Sequence, residues 1–240
     1  MKERGMIFNG EMVRAILDGR KTQTRRIMKI QPEHSGLGLR RVIDSKNGSD
    51  DGKYFWSLSD ACGLKIRSKS FTCPFGSVGD RIWVREAFRV HSRATDVATL
   101  VYKASERNSW TEQTHRVPVS VCNKPATPEK WTPSLHMPRW ASRILLEITD
   151  VRVERLNAIS PEDAESEGLE RTNFTGFGDE PGLPSYPEPD VYFDPLKKQW
   201  KEYPPEAFAG LWESIYGEGS WKANPWVWVI EFKRVEGGAA

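Results

Sequence analysis

Apolar positions recur along this chain in two rhythms, and each stretch stops at a glycine, a proline or a run of charge. Near the start, Met12, Ala15, Ile16 and Leu17 fall on one face of a helix. Asn9 precedes them as a cap and Gly19 follows as a stop, so the spacing predicts a short helix over Asn9–Gly19. A second helix is announced by Ser160-Pro161-Glu162-Asp163. This is a capping serine, a proline at the first helical position and acids near the positive end; Gly168 closes it. A third is expected over Pro205–Tyr216, with Phe208, Leu211, Trp212 and Ile215 on one face and Gly217 after it.

Elsewhere the shorter period of strands dominates. Thr22–Ile30 has β-character, and Gly79-Asp80 turns into a strand over Arg81–Val90. Thr99–Ala104 and Val117–Val121 are further candidates. Ala141–Leu156 is a long β-rich run whose phase shifts at Thr149-Asp150, which predicts a bulge or bend. Pro225–Val235 closes the chain. Trp226 and Trp228 alternate there with Val227 and Val229, so one set is expected in the core.

Two stretches, about 32–75 and 171–203, carry no period and are rich in turn-forming residues. They read as insertions that are partly ordered or wrap the outside, the first with a hairpin near Asn47-Gly48 or Asp51-Gly52. Strands outnumber short helices. The expected fold is a single α+β domain over 1–240, with a partly closed β-barrel as the way to hide strand edges.

Composition changes this picture little. The 240 residues are 38% hydrophobic, and ten tryptophans supply core material despite a mean hydropathy of -0.59. A net charge of +2 gives no global field for nucleic acid, so local basic patches would have to supply it. Cys62, Cys73 and Cys122 form no CxxC pair, and the four histidines lack metal-ligand spacing. No disulfide framework, metal or cofactor is expected, and Cys122 reads as a small buried residue. With no signal peptide and no membrane-length apolar run, the chain reads as cytoplasmic.

The candidate chemistry sits just past the first helix, in Gly19-Arg20-Lys21-Thr22-Gln23-Thr24-Arg25-Arg26. A lysine whose pKa is depressed by burial or by neighbouring cations can serve as a base, and a nearby threonine can then attack a carbonyl. Arg20, Arg25 and Arg26 suit an anionic or nucleotide-like ligand. A backbone amide near Gly19 or Thr22 would steady the oxyanion. An activated water, with Thr24 only orienting it, fits the same residues. A solvated strand edge accounts for them equally. Trp83 with Arg85 offers a stacking platform or a cleft wall, and Arg139 lies in the cluster His136-Met137-Pro138-Arg139-Trp140.

The run Gly19-Arg20-Lys21-Thr22-x-Thr24-x-Arg26 after an opening helix resembles the signature of ASCH domains, which share the PUA-like β-barrel. Gly79-Asp80-Arg81-Ile82-Trp83-Val84, Asp163-Ala164-Glu165-Ser166-Glu167-Gly168 and Val229-Ile230-Glu231-Phe232-Lys233 resemble further family stretches, in the same order. The similarity is to the small bacterial 4-acetylcytidine amidohydrolases, about half this length, and, over the whole chain, to ASCH proteins of phages and prophages. Carried onto this sequence, the amidohydrolase triad falls on Lys21, Thr24 and Glu167, with Glu165 as the rival for the third place. The resemblance therefore implies a hydrolase that removes an acyl group from a modified pyrimidine nucleoside. Substrate contacts are expected from Arg20, Arg25, Arg26, Trp83, Arg85 and Arg139. A non-catalytic RNA- or DNA-binding module and a ribonuclease are the rival readings, both using the same Lys/Arg cluster.

Overall fold

The computed structural model describes residues 1–59, 65–172 and 191–235. Cys62 and most of the second expected insertion lie outside the described residues. The chain runs β1 (Glu3–Ile7), α1 (Gly10–Leu17), β2 (Gln23–Ile27), β3 (Gly38–Arg41), β4 (Tyr54–Ser59), β5 (Lys65–Arg67), β6 (Arg81–Arg85), β7 (Phe88–Arg93), β8 (Val97–Tyr102), α2 (Trp110–Gln113) and β9 (Thr114–Pro118). It continues through β10 (Leu145–Arg155), α3 (Pro161–Ser166), β11 (Arg171–Thr172), β12 (Val191–Asp194), β13 (Gln199–Lys201), α4 (Pro204–Tyr216) and β14 (Trp226–Arg234).

The architecture is mixed α+β, with sheets dominant. The central sheet has the order β1-β6-β10-β14-β2, and β7-β8-β9, β3-β4-β5 and β11-β12-β13 form three smaller sheets. Only β1 and β6 pair in parallel in the central sheet; its other neighbours are antiparallel. Among the described residues no hydrogen-bonded ladder closes this sheet into a barrel: β1 and β2 remain its ends. They are bridged by a side chain instead, because Arg26 on β2 donates to the carbonyl of Ile7 on β1 at 2.8 Å.

The local signals are realised closely. The Asn9 side chain accepts from Met12 N at 2.8 Å and caps α1, and Gly19 takes φ +77. Ser160 Oγ accepts from Asp163 N at 3.1 Å and caps α3. The register of β10 against β14 slips between Ile148 and Asp150, where the apolar phase shifts. The expected strand over Arg81–Val90 is broken into β6 and β7. Between them Glu86 is buried and gripped by Arg143 through contacts of 3.0 and 3.1 Å, a partner 57 positions away.

Three packed clusters follow from the layers. One face of β14 sends Trp228, Ile230 and Phe232 into a core shared with Val13 and Ile16 of α1. The other face sends Val227 and Val229 against Ala164 of α3 and Phe208, Leu211 and Trp212 of α4. Both sets of β14 are thus buried, because the strand lies between β10 and β2 with elements on each side; the alternation did not choose one. The third cluster lies under β7-β8-β9 and holds Cys122 and Met137.

The segment at about 32–75 also differs from a peripheral wrap. It builds β3-β4-β5, and Leu37, Trp56 and Phe71 enter the same core as α1. Trp56 is 1% exposed, with Phe71 and Trp226 rings 6.0 and 5.0 Å away. Widely spaced aromatics in a polar stretch carry no period, yet each contributes a large apolar area to the core.

Candidate active site

The site is assembled where the end of α1 meets the end of α3. Lys21 N donates to Ala15 O at 3.0 Å, and Thr22 N donates to Ser166 O at 2.9 Å, so the chain leaving α1 runs along the end of α3. Lys21 and Glu167 form an isolated antiparallel bridge. Gly168 lets the chain turn away, at φ +89; a Cβ there would lie 2.7 Å from Lys21 Cβ and 2.8 Å from Ala15 Cβ. Only a glycine fits both the backbone angle and the gap.

Within this junction, Lys21 Nζ donates to Glu167 Oε2 at 2.6 Å and to Glu167 O at 2.8 Å. The lysine side chain is 0% exposed and that of Glu167 is 3% exposed. Burial lowers the Lys21 pKa below the ordinary lysine value. Glu167 opposes that shift, while Arg26 and Arg25 reinforce it. Two groups separated by 146 positions therefore form a buried, directly bonded acid–base pair.

Arg25 joins the same carboxylate. Its guanidinium, 0% exposed, reaches Glu167 Oε1 at 3.3 Å, Asp163 Oδ2 at 2.7 Å and Glu154 Oε2 at 3.1 Å. Arg152 extends the network to Glu154, Asp163 and Glu231. Burial pushes the Asp163 carboxyl up, but Arg25 and Arg152 outweigh it and hold the group below the usual aspartate value. The sequence reading missed Asp163, Arg152 and Glu154. The available signal for Arg152 and Glu154 was Asp150-x-Arg152-x-Glu154, charges two apart on one face of a strand that alternate with Val151 and Val153.

Thr24 is buried at 1% but looks the other way. It pairs with Ile230, and directly opposed residues share a face, here the α1 side of the sheet. Arg25 and Gln23 project to the α3 side, where Gln23 donates to Asp163 O at 2.8 Å. Among the described residues the Thr24 hydroxyl has no hydrogen bond to Lys21 or Glu167. The structure brings Lys21 and Glu167 together and sets Thr24 on the opposite face. The two expected oxyanion donors are also committed, Gly19 N to Ile16 O at 3.2 Å and Thr22 N to Ser166 O.

The remaining candidates divide by location. Arg20 NH1 donates to Gly168 O at 2.9 Å and Leu169 O at 3.1 Å, which keeps it beside Glu167. Arg26 donates one N–H to Ile7 O, with its guanidinium carbon 5.2 Å from the Phe8 ring centroid. Trp83 lies over Gly5 of the neighbouring strand, with Arg85 5.4 Å from its ring centroid. Arg85 donates to Leu135 O, and Arg139 Nε to Glu3 Oε2 at 2.9 Å. These three group at the β1–β6 end and do not line the cleft at Glu167. Glu165 accepts from the Tyr192 hydroxyl and faces a different cleft, beside Thr22 and Glu162.

A cleft of about 130 Å³ opens at Glu167, walled by Met12, Arg14, Arg20, Phe193 and Leu211. Glu11, Arg14 and Glu170 also line an adjoining groove of about 800 Å³, so the two spaces share a wall. The carboxylates Glu11, Glu167 and Glu170 outnumber Arg14 and Arg20 around the smaller cleft. That balance suits amine and amide donors on a heterocycle better than a chain of phosphates. No family model, no curated protein and no solved structure matches this chain.

Proposed function

We propose that this protein is a hydrolase on a PUA-like (ASCH) frame, cleaving an acyl amide from the exocyclic nitrogen of a modified pyrimidine nucleoside. The observation that carries the reading is the buried Lys21–Glu167 pair at 2.6 Å, with Glu167 on the wall of a cleft. Glu167 is the member that meets substrate; Lys21 lies behind it and holds the carboxylate in place. In the reaction, the Glu167 carboxylate takes a proton from water as the water oxygen adds to the acyl carbonyl carbon. The C–N bond then breaks, and the proton passes from Glu167 to the leaving exocyclic nitrogen. The products are a carboxylic acid and the free amino base. Arg20, on the same wall, gives N–H groups to Gly168 O, Leu169 O and Asp18 Oδ2, and its remaining N–H groups are assigned to the oxyanion. Phe193 and Met12 face the base, and the adjoining groove gives room for the sugar.

Water rather than Thr24 is the nucleophile in this reading, because Thr24 shares the Ile230 face of the sheet. The RNA-backbone reading asks for free guanidinium groups, whereas Arg25 is buried and serves three carboxylates. The test is hydrolysis of 4-acetylcytidine and related acylated nucleosides, followed by ultraviolet absorbance. Glu167→Gln and Lys21→Met are expected to lower kcat by roughly 10²–10⁴-fold, the usual worth of general acid–base catalysis. Thr24→Val and Glu165→Gln are expected to stay within about tenfold of wild type, well short of that loss. Absence of turnover by folded wild-type protein across the acylated panel would overturn the reading. Loss of turnover in Thr24→Val with the fold intact would return the attack to that hydroxyl.

A further inference from the structure

The accessory sheet β3-β4-β5 does more than cover the core. Where it meets the β1, β6 and β10 end of the central sheet, it leaves a second cleft of about 510 Å³. That volume is in the range of sites for small organic ligands. The accessory segment contributes Arg41, Asp51, Tyr54 and Cys73 to the wall. Lys2, Arg4, Asp80, Asp150 and Val151 come from the other side.

Its hydrogen-bonding capacity is lopsided. Each carboxylate in the wall already accepts a donor. Asp80 takes Lys2 N at 2.7 Å, Ser77 N at 3.3 Å and Arg4 at 3.3 Å. Asp51 takes Ser45 N at 2.7 Å, and Asp150 takes Arg152 at 3.4 Å. The cations are largely unspent. Among the described residues, Lys2 Nζ has no acceptor. Among the described residues Arg4 commits a single N–H, and the Arg41 side chain has no hydrogen-bond acceptor, its guanidinium carbon lying 5.9 Å from the Tyr54 ring centroid. Burial pushes the Cys73 thiol up to about 11, so it adds no negative charge at neutral pH. Asp80 is paired with Arg4 and Asp150 with Arg152, so among the described residues Lys2 and Arg41 face Asp51 as the one carboxylate of the wall without an ion pair, and the balance left to a ligand is of donors. Tyr54, whose hydroxyl is tied to Val151 O at 3.3 Å, and Val151 supply an apolar wall beside them.

We propose that this cleft binds a mononucleotide-sized phosphomonoester, with the phosphate on Arg4, Arg41 and Lys2 and a planar ring against Tyr54 and Val151. Three cations on one wall match the greater charge and the three terminal oxygens of a phosphomonoester better than the single charge of a carboxylate. The site shares no wall residue with the cleft at Glu167, so it stands whether or not the hydrolase reading does.

The experiment is calorimetric titration of the full chain with adenosine 5′-monophosphate, adenosine and inorganic phosphate. The monophosphate is expected to bind at one site per chain, at least about tenfold tighter than either fragment, and to weaken as salt is raised. Arg41→Ala and Arg4→Ala are each expected to weaken it by about tenfold or more, the worth of a charge-assisted hydrogen bond. Arg41 is exposed, so its truncation leaves the fold alone and carries the test if freeing Asp80 makes Arg4→Ala unstable. Equal affinity for the monophosphate and either fragment would overturn the proposal. So would Arg41→Ala binding the monophosphate as tightly as wild type.

Discussion

Arg25 separates a structural from a ligand-gripping role for the basic run after α1. Arg25→Met keeps most of the side-chain volume and removes the charge. Three carboxylates lose a partner, but none is left without a cation: Glu167 keeps Lys21 at 2.6 Å, while Asp163 and Glu154 keep Arg152 at 2.8 and 2.6 Å. Removing one partner of a buried ion pair costs about 3–5 kcal/mol when the other charge is stranded. The remaining cations put this substitution near the lower end, about 3 kcal/mol. For a chain of 240 residues that corresponds to a fall in Tm of about 6–12 °C. The assay is urea unfolding followed by tryptophan fluorescence, with a thermal melt in parallel. A loss below about 1 kcal/mol, the range of an exposed ion pair, would refute the argument that Arg25 is a buried strut. Loss of nucleic-acid affinity with stability unchanged would return Arg25 to a ligand-binding role.

Trp56→Ala should cost about 3–5 kcal/mol in the same unfolding assay, as for other buried aromatic truncations; a loss under about 1 kcal/mol would mean the 32–75 segment is peripheral. Gly168→Ala should destabilise by roughly 2–5 kcal/mol, from the left-handed backbone and the Cβ contacts with Lys21 and Ala15 together. A wild-type melt from Gly168→Ala would show that the junction relaxes freely. Asp163 has a folded pKa below its unfolded value, so its contribution is complete above about pH 4 and is lost as pH falls through the lower folded value. Asp163→Asn should therefore flatten the acid limb of Tm against pH below about pH 4, and an unchanged limb would remove Asp163 from the acid response.

Local signals were legible wherever a short stretch of sequence carries the whole cause. The caps at Asn9 and Ser160, the stop at Gly19 and the phase slip near Thr149 are such cases, and the structure has all of them. Strand β1 was not legible, because Glu3-Arg4-Gly5-Met6-Ile7 shows one buried residue and gains its identity from pairing with β6. The break between β6 and β7 was hidden for a similar reason: Glu86 is buried only because Arg143 meets it from 57 positions away.

The candidate site divides along the same line. Sequence alone fixed the chemical types in the run Arg20–Arg26 and the acids of α3. It placed Lys21 and Thr24 together because they are neighbours in the chain. Tertiary structure decided that Lys21 bonds to Glu167, that Arg25 is consumed by three carboxylates, and that Thr24 faces Ile230. The physical reason is that a strand alternates its faces with a period of two, while a motif is read along one dimension. Which face meets α3 and which meets α1 is set by the packing of distant elements, and no residue in the motif encodes it.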